Sequence, residues 1–138
     1  MSADINVQQS VFTRLTSSVT LMSLVKGVYD KPLQVADSGD NSKFPYINIG
    51  EDLIQGWSTS DSVGVEATLI FHVWDRSSGY KTVKQIQGEL FTLLSRYELV
   101  ISGYKLITLE FESNKIFVDQ DGITNHGVSQ YRLFADLA

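Results

Sequence analysis

The sequence contains no cysteine, only two prolines and two histidines, and no apolar run of transmembrane length. The missing cysteine excludes disulfides, thiolate zinc sites and thiol nucleophiles, so a reducing compartment suits the chain. A membrane-spanning helix needs roughly 18 or more apolar residues, which no segment provides. The opening MSADINVQQS also lacks the basic and apolar regions of a signal peptide. We therefore expect neither secretion by that route nor membrane insertion.

Basic residues are scarce as well. Eleven lysines and arginines stand against sixteen acidic residues, for a formal net charge of -5. This is the wrong sign for a protein that grips phosphate backbones over a broad surface. The glycines are scattered singly, so neither a Walker loop nor a GxGxxG motif occurs. The basic residues that could cluster carry no RNA-binding or OB-fold signature: Arg76, Lys81, Lys84, Lys105 and Arg132. Nucleotide binding and nucleic-acid readout therefore have little support.

What the chain does have is the composition of a folded globule, with 43% apolar and 20% charged residues. Its 138 residues are a usual length for one domain, and a domain of this size buries roughly two-thirds of its unfolded surface. No internal repeat or low-complexity tract divides it. We expect a single domain over residues 1–138.

Two helices are predicted at the start. Asp4 is a candidate N-cap for the first helix, whose apolar residues recur at helical spacing: Val7, Val11, Phe12 and Leu15. Ser18 is a candidate cap for a short second helix that Gly27 would stop. The polar residues 36–43 (ADSGDNSK) predict a mobile loop. A strand follows at residues 46–50, and residues 52–62 lack a period and are interpreted as an excursion.

The clearest strand lies at residues 64–74, where apolar residues alternate with a second, partly apolar face. On that second face Ile70 and Trp74 are expected to be covered, either by this chain or by a neighbour. A turn at residues 75–79 then leads, with Ser77 or Ser78 as cap, into a helix at residues 80–97 that should pack on the sheet.

Two more strands are predicted at residues 104–118 and 127–137, joined by a hairpin turn at residues 119–122. In the first of them Ile107, Leu109 and Phe111 are expected to point inward. The order of elements predicts an α+β fold, an antiparallel β-sheet with helices packed on one face.

Candidate chemistry is sparse. His72 lies in mid-strand and His126 follows a fragment that resembles a calcium loop but lacks the distant bidentate glutamate. The pair Glu110 and Glu112 has the two-residue spacing that puts both on one strand face, which is more often an acidic edge than an acid/base dyad. We expect a non-enzymatic protein with no cofactor and no metal. The remote alternative is a small hydrolase using this pair, or a metal site at Asp119, Asp121 and His126.

Five segments, taken in their order and spacing, resemble the family of phage tail-completion or tail-terminator proteins. They are FPYINIGED at residues 44–52, Trp57, ATLIFHVWDR at 67–76, ITLEFES at 107–113 and DQDGITNHGVSQYRLF at 119–134. The resemblance covers roughly residues 5–137. This chain departs from the family pattern in its long polar loop at 36–43 and in the extra length between 52 and 64.

The resemblance implies a structural virion protein assembled in the host cytoplasm. Such proteins form a ring, commonly a hexamer, at the head-proximal end of a long tail tube, where they stop tube growth and join the tail to the head connector. The implied partners are further copies of the chain, the tail-tube protein and the head connector protein, while DNA passes through the lumen without specific binding. The alternative within the same setting is a head-side connector or neck protein that contacts the portal assembly.

A ring needs two different patches that meet between neighbouring subunits. From the sequence we expect Trp57, Ile70 and Trp74 near such interfaces and Asp75 and Arg76 as polar contacts at their rim, with the loop at 36–43 ordering on contact. The predicted interface set is completed by Glu51, Asp52 and Arg132.

Overall fold

A computed structural model describes residues 3–34, 40–96 and 98–138, and the side chains at 51 and 52 lie outside the described part. Residues 36–39 of the predicted mobile loop also lie outside it. The elements are α1 (Ala3–Thr16), α2 (Val19–Leu24), β1 (Val28–Tyr29), β2 (Tyr46–Gly56), β3 (Gly64–Asp75), α3 (Lys81–Arg96), β4 (Tyr104–Val118) and β5 (Asn125–Leu137). The predicted hairpin turn thus lies between β4 and β5.

The strands form one sheet in the order β1-β2-β3-β5-β4. All neighbours pair antiparallel except β1, which pairs parallel with β2 through Val28 and Tyr29. The helices cover one face of the sheet, where Leu69 and Phe71 of β3 are fully buried with Leu133 of β5. The predicted α+β architecture is confirmed, with the short parallel strand as an addition.

The two N-terminal helices form much as predicted. Val7, Val11 and Leu15 recur every four residues on α1 and are buried. Asp4 lies inside the first turn and is not the N-cap, because the helix already begins at Ala3. Ser18 does cap α2, and its side chain accepts a hydrogen bond from the Leu21 amide at 3.1 Å. The helix ends at Leu24, before the predicted stop at Gly27.

Strand β2 is longer than predicted. Residues 53–56, interpreted from the sequence as an excursion, pair with β3 from Thr68 to Val65. The register shifts between Gly50 and Leu53, so the residues between them interrupt the ladder. A bulge of this kind breaks the alternation of apolar and polar side chains, and for that reason the pattern did not reveal the second half of the strand.

Strand β4 also carries two register shifts, between Leu106 and Thr108 and between Phe111 and Ser113. Ile107 is the extra residue of the first shift and is 46% exposed, so the expectation that it points inward was wrong. Leu109 packs against the core, whereas Phe111 is 41% exposed and rests edge-on against Phe91 of α3, with ring centres 5.4 Å apart.

Helix α3 lies close to the sheet because β5 has a glycine beneath it. An added Cβ at Gly127 would lie 2.6 Å from Cγ1 of Val83 and 2.9 Å from Nε2 of Gln87. The Gln87 side chain fills the remaining space and donates a hydrogen bond to the Lys115 carbonyl of β4 at 3.3 Å. A residue without a side chain is therefore required at position 127, so that α3 can pack this close to β5.

Candidate interaction surface

The opposite side of the sheet, called here the outer sheet face, carries the residues that alternate with the core residues of β2, β3, β5 and β4. Register aligns them in rows across the four strands. The main rows are Tyr46–Trp74–His126–Phe117, Asn48–His72–Val128–Lys115, Gly50–Ile70–Gln130–Ser113 and Leu53–Thr68–Arg132–Glu110. Each row brings together residues that are far apart in sequence.

The first row is an aromatic layer. Trp74 stacks on His126 with ring centres 3.8 Å apart, and Tyr46 lies on its other side at 6.3 Å. Phe117 continues the row at 4.8 Å from His126. The indole nitrogen of Trp74 donates a hydrogen bond to Oδ1 of Asn48 at 2.6 Å. The expected cover of Trp74 is therefore supplied by this chain, and its side chain is held in place within one subunit.

The two histidines meet between this layer and the second row, although 54 residues separate them. Nδ1 of His72 lies 2.7 Å from Nε2 of His126, and both residues are more than nine-tenths buried. A hydrogen bond of this length needs a proton on one of the two nitrogens and a lone pair on the other. This pair could not be predicted from the sequence, because the proximity of the two histidines depends on the β3–β5 register. It links the two strands beneath the aromatic side chains.

Arg132 lies at the centre of a charged group on the outer sheet face. Its Nη2 is 3.4 Å from Oε2 of Glu112, and its Nε is 3.7 Å from Oε2 of Glu66. Gln130 donates a hydrogen bond to the other oxygen of Glu112 at 3.0 Å. The arginine is 41% exposed, so this group remains available for contacts at a partly solvated rim.

An apolar patch adjoins the charged group on the outer sheet face. We define it as Leu53, Trp57, Ile70 and Phe134. Trp57 is 39% exposed and packs against Phe134 with ring centres 4.9 Å apart, and Leu53 is 54% exposed. Ile70 is half-buried in the middle of β3. Of the residues expected at an interface, Trp57 and Ile70 therefore both lie on the outer sheet face, on either side of the row that contains Arg132.

Asp75 occupies a different place from the one expected. It is only 2% exposed, and its carboxylate accepts hydrogen bonds from the Ser77 amide at 3.1 Å and the Ser77 hydroxyl at 3.0 Å. Asn125 holds the same turn by donating to the carbonyls of Ser77 and Gly79. The expectation of a surface contact needs correction, because this carboxylate organises the turn before α3.

Arg76 is also directed inward, and its side chain is 8% exposed. It donates to Oγ1 of Thr124 at 3.1 Å and to the Asp40 carbonyl at 3.1 Å, and it lies 3.7 Å from the Asp121 carboxylate. The guanidinium covers the ring of Phe44 at 4.4 Å. Arg76 thus joins the end of β3, the segment at residues 40–44 and the β4–β5 turn, and it is not the rim contact that was expected.

The surroundings of Arg76 stabilise the ionised forms of two neighbouring carboxyl groups, those of Asp121 and Asp40. Burial acts to raise the pKa of Asp121, but hydrogen bonds from Thr124 and Ile123 and the Arg76 guanidinium together hold that pKa below its usual range. Hydrogen bonds from Ser42 lower the pKa of Asp40. Both groups therefore stay ionised beside the arginine at neutral pH.

Glu51 and Asp52 lie in β2 where its register shifts, and their side chains are outside the described part of the structure. Their expected place at an interface stays a prediction. Residues 53–56 of β2 follow them directly, and the first of these, Leu53, belongs to the apolar patch.

Among the residues considered for catalysis or metal binding, two carboxylates have other partners. Glu112 is bound by Arg132 and Gln130, and Asp121 accepts hydrogen bonds from the amides of Ile123 and Thr124 at 2.9 Å each. Within residues 3–34, 40–96 and 98–138, apart from the side chains at 51 and 52, no three histidine or carboxylate side chains are grouped so that they could hold a metal ion. None of the helices in the described ranges is long and apolar enough to cross a membrane.

Known proteins resemble this chain in both sequence and fold. Tail completion protein gp17 of Bacillus phage SPP1 is 25% identical over 126 residues, which cover 91% of this chain and 89% of that protein. The solved structure of bacteriophage SPP1 gp17 protein matches with a TM-score of 0.59 and 26% identity, over 91% of this chain and 86% of that one.

A chain in the virion of a native gene transfer agent particle has the same fold, with a TM-score of 0.84 at 20% identity and 98% of both chains covered. The family described as Tail completion protein gp17 matches residues 9–136. The resemblance noted in the sequence is thereby confirmed. This chain belongs to the family of the tail completion protein gp17.

Proposed function

We propose that this protein is a tail terminator, a subunit of a ring, most simply a hexamer, that closes the head-proximal end of a long phage tail tube. The ring stops tube growth and presents a surface to the head connector. The observation that carries the proposal is the family match over residues 9–136. Membership of a tail completion family makes the chain a structural protein and not an enzyme.

The outer sheet face supports the proposal. A ring requires a heterologous contact, in which one patch on each subunit meets a different patch on the next. The apolar patch of Leu53, Trp57, Ile70 and Phe134 offers a surface of that kind, and the group around Arg132 supplies a polar rim. Trp74 contributes by keeping the adjoining part of the face rigid, since it is stacked within its own subunit.

The negative net charge of the chain is compatible with a ring through which DNA passes. With a net charge of -5, the subunits of a ring add up to a strongly acidic assembly. Such a ring does not bind the phosphate backbone tightly over a broad surface, so DNA passes through its lumen without specific binding. The partners are then other copies of the chain, the tail-tube protein and the head connector protein, within the virion at the junction of head and tail.

The test is the mass of the protein alone and in the presence of tail-tube subunits, by light scattering after size exclusion. A terminator forms a ring at high concentration or when the tube acts as template, because a weak contact between subunits depends on concentration. A protein that stays monomeric under both conditions contradicts the proposal.

A head-side connector protein is the competing role. Pull-down with the tagged chain separates the two roles, using tube subunits in one experiment and connector subunits in the other. A terminator retains the tube subunits, whereas a protein that retains only connector subunits belongs on the head side.

A further inference from the structure

The sheet has two edges that lack a partner strand among the described residues. On one side β4 is the last strand over its full length, Tyr104–Val118. On the other side β1 covers only Ile47 and Asn48 of β2, so that residues 50–56 have no paired strand outside them in the described part of the chain. Unpaired edges present backbone N–H and C=O groups to which another chain can add.

Both edges carry exposed apolar side chains. Along β4, Phe111 is 41% exposed, Phe117 39% and Val118 45%. On the open part of β2, Leu53 is 54% exposed. A long edge strand with exposed apolar residues is a liability for a free monomer, which natural proteins manage by covering it. The bulges after Leu106 and Phe111 divide β4, and its regular stretch at residues 108–111 lies in the same rows of the sheet as residues 53–55 of β2.

The directions of the strands make the two edges complementary. The strands β2, β3, β5 and β4 are antiparallel at each step, so β4 runs opposite to β2. Rotation about a ring axis preserves the direction of each strand along that axis. Placing β4 of one subunit beside β2 of the next therefore makes an antiparallel pair, and the alternation continues from subunit to subunit.

We propose that residues 108–111 of β4 in one copy pair with residues 53–56 of β2 in the next copy, so that the sheet continues around the ring. This inference rests on the proposed function, since the ring supplies the second copy. The paired segment of β2, residues 53–56, spans about 14 Å at ~3.4 Å per residue. Pairing of two β4 strands would instead give a closed dimer and leave both β2 edges open.

The chain has no cysteine, so disulfide trapping tests the pairing without background. Gln55→Cys is placed on the β2 edge and combined in one chain with Thr108→Cys, which lies in the same row of the sheet, or, to allow for register, with Glu110→Cys. Gln55 and Glu110 are exposed and Thr108 is half-buried. Oxidation in the presence of tail tubes is expected to give a ladder of covalent oligomers that ends at the ring. The control combines Gln55→Cys with Lys84→Cys, exposed on α3, and is expected to give no ladder.

The outcomes separate the pairing from the proposed function because rings are also imaged by electron microscopy. Rings without a ladder from either cysteine pair overturn the pairing and leave the terminator role standing. A covalent dimer from Thr108→Cys alone shows contact between two β4 edges and overturns the pairing as well. A loss of tube binding that depends on the disulfide and gives no oligomers also overturns it. The absence of any ring in the presence of tubes overturns the terminator role, and the pairing with it.

Discussion

Arg76 shows how one side chain can organise an end of this molecule. The sequence placed it in a polar turn and suggested a surface contact, but its guanidinium holds three segments together through Thr124, the Asp40 carbonyl and Asp121. These partners lie between 36 and 48 residues away, so local sequence could not reveal them. The same holds for His72 and His126, which meet only because β3 and β5 are in register.

Replacing this arginine with lysine tests the role. In Arg76→Lys a single ammonium cannot reach the same acceptors, and hydrogen bonds to charged groups contribute about 1.5–3 kcal/mol each. We expect the free energy of unfolding, measured by urea denaturation, to fall by about 2 kcal/mol. Arg96→Lys is the matched control at an exposed position on α3. Equal stability of the two variants would refute the bracing role of Arg76.

Tyr131 is a buried tyrosine whose hydroxyl makes no hydrogen bond within the described residues. The residue is 1% exposed, its oxygen has no hydrogen-bond partner in the described part of the chain, and burial raises its pKa far above the usual range. Removing a buried polar atom that lacks a partner relieves a desolvation cost of about 1–3 kcal/mol. We therefore expect Tyr131→Phe to unfold at a urea concentration equal to or higher than that of the unmodified protein.

Tyr46→Phe is the contrasting variant for that measurement. The hydroxyl of Tyr46 accepts a hydrogen bond from the Leu33 amide at 3.0 Å, so its loss leaves a donor without this acceptor. Stability should fall by about 1 kcal/mol. If Tyr131→Phe lowers stability as much as Tyr46→Phe does, the Tyr131 hydroxyl has a partner that this account misses.

At the scale of the elements, regular segments were predictable and bulges were not. The alternation in β3 and the apolar stripe of α3 follow directly from residue spacing, and both elements lie close to their predicted bounds. The second half of β2 and the inward face of β4 were misjudged because register shifts change which residue faces the core. A shift depends on the partner strand, which a pattern within one strand does not contain.

The packing of α3 on β5 gives a prediction at this scale. Gly127→Ala places a methyl group against Val83 and Gln87 at distances well below van der Waals contact, and overpacking of this kind costs about 1–3 kcal/mol. Thermal unfolding should show a clear fall in the melting temperature. Gly88→Ala is the control: it lies on α3 with nothing within 4 Å, and helix propensity favours alanine there by about 1 kcal/mol. Similar effects of the two changes would contradict the close approach.

At the scale of the whole molecule, the family and the fold could be inferred from the order of the segments, whereas the surface that meets a neighbour could not. Of the residues expected at an interface, the structure groups Trp57, Ile70 and Arg132 on the outer sheet face and directs Asp75 and Arg76 inward. Leu53, which the sequence had placed in an irregular excursion, joins the exposed group because β2 continues past its bulge.

Leu53→Lys tests whether this surface assembles. A lysine at the centre of an apolar contact should weaken association of the subunits at least about tenfold, which corresponds to ~1.4 kcal/mol. The measurement is the concentration at which rings form, followed by light scattering. Val19→Lys is the matched control, since Val19 is 86% exposed on α2, away from the sheet face. A ring that tolerates both changes equally would exclude the apolar patch from the contact.

As a tail terminator, the chain would form a ring that closes the head-proximal end of the tail tube. Cryo-electron microscopy of tubes polymerised from tail-tube subunits with and without the protein tests it most directly. We expect a ring of this chain at one end only of each tube, and tubes that do not elongate from that end when fresh subunits are added. Tubes that continue to grow from both ends, with no density for the chain at either, would contradict it.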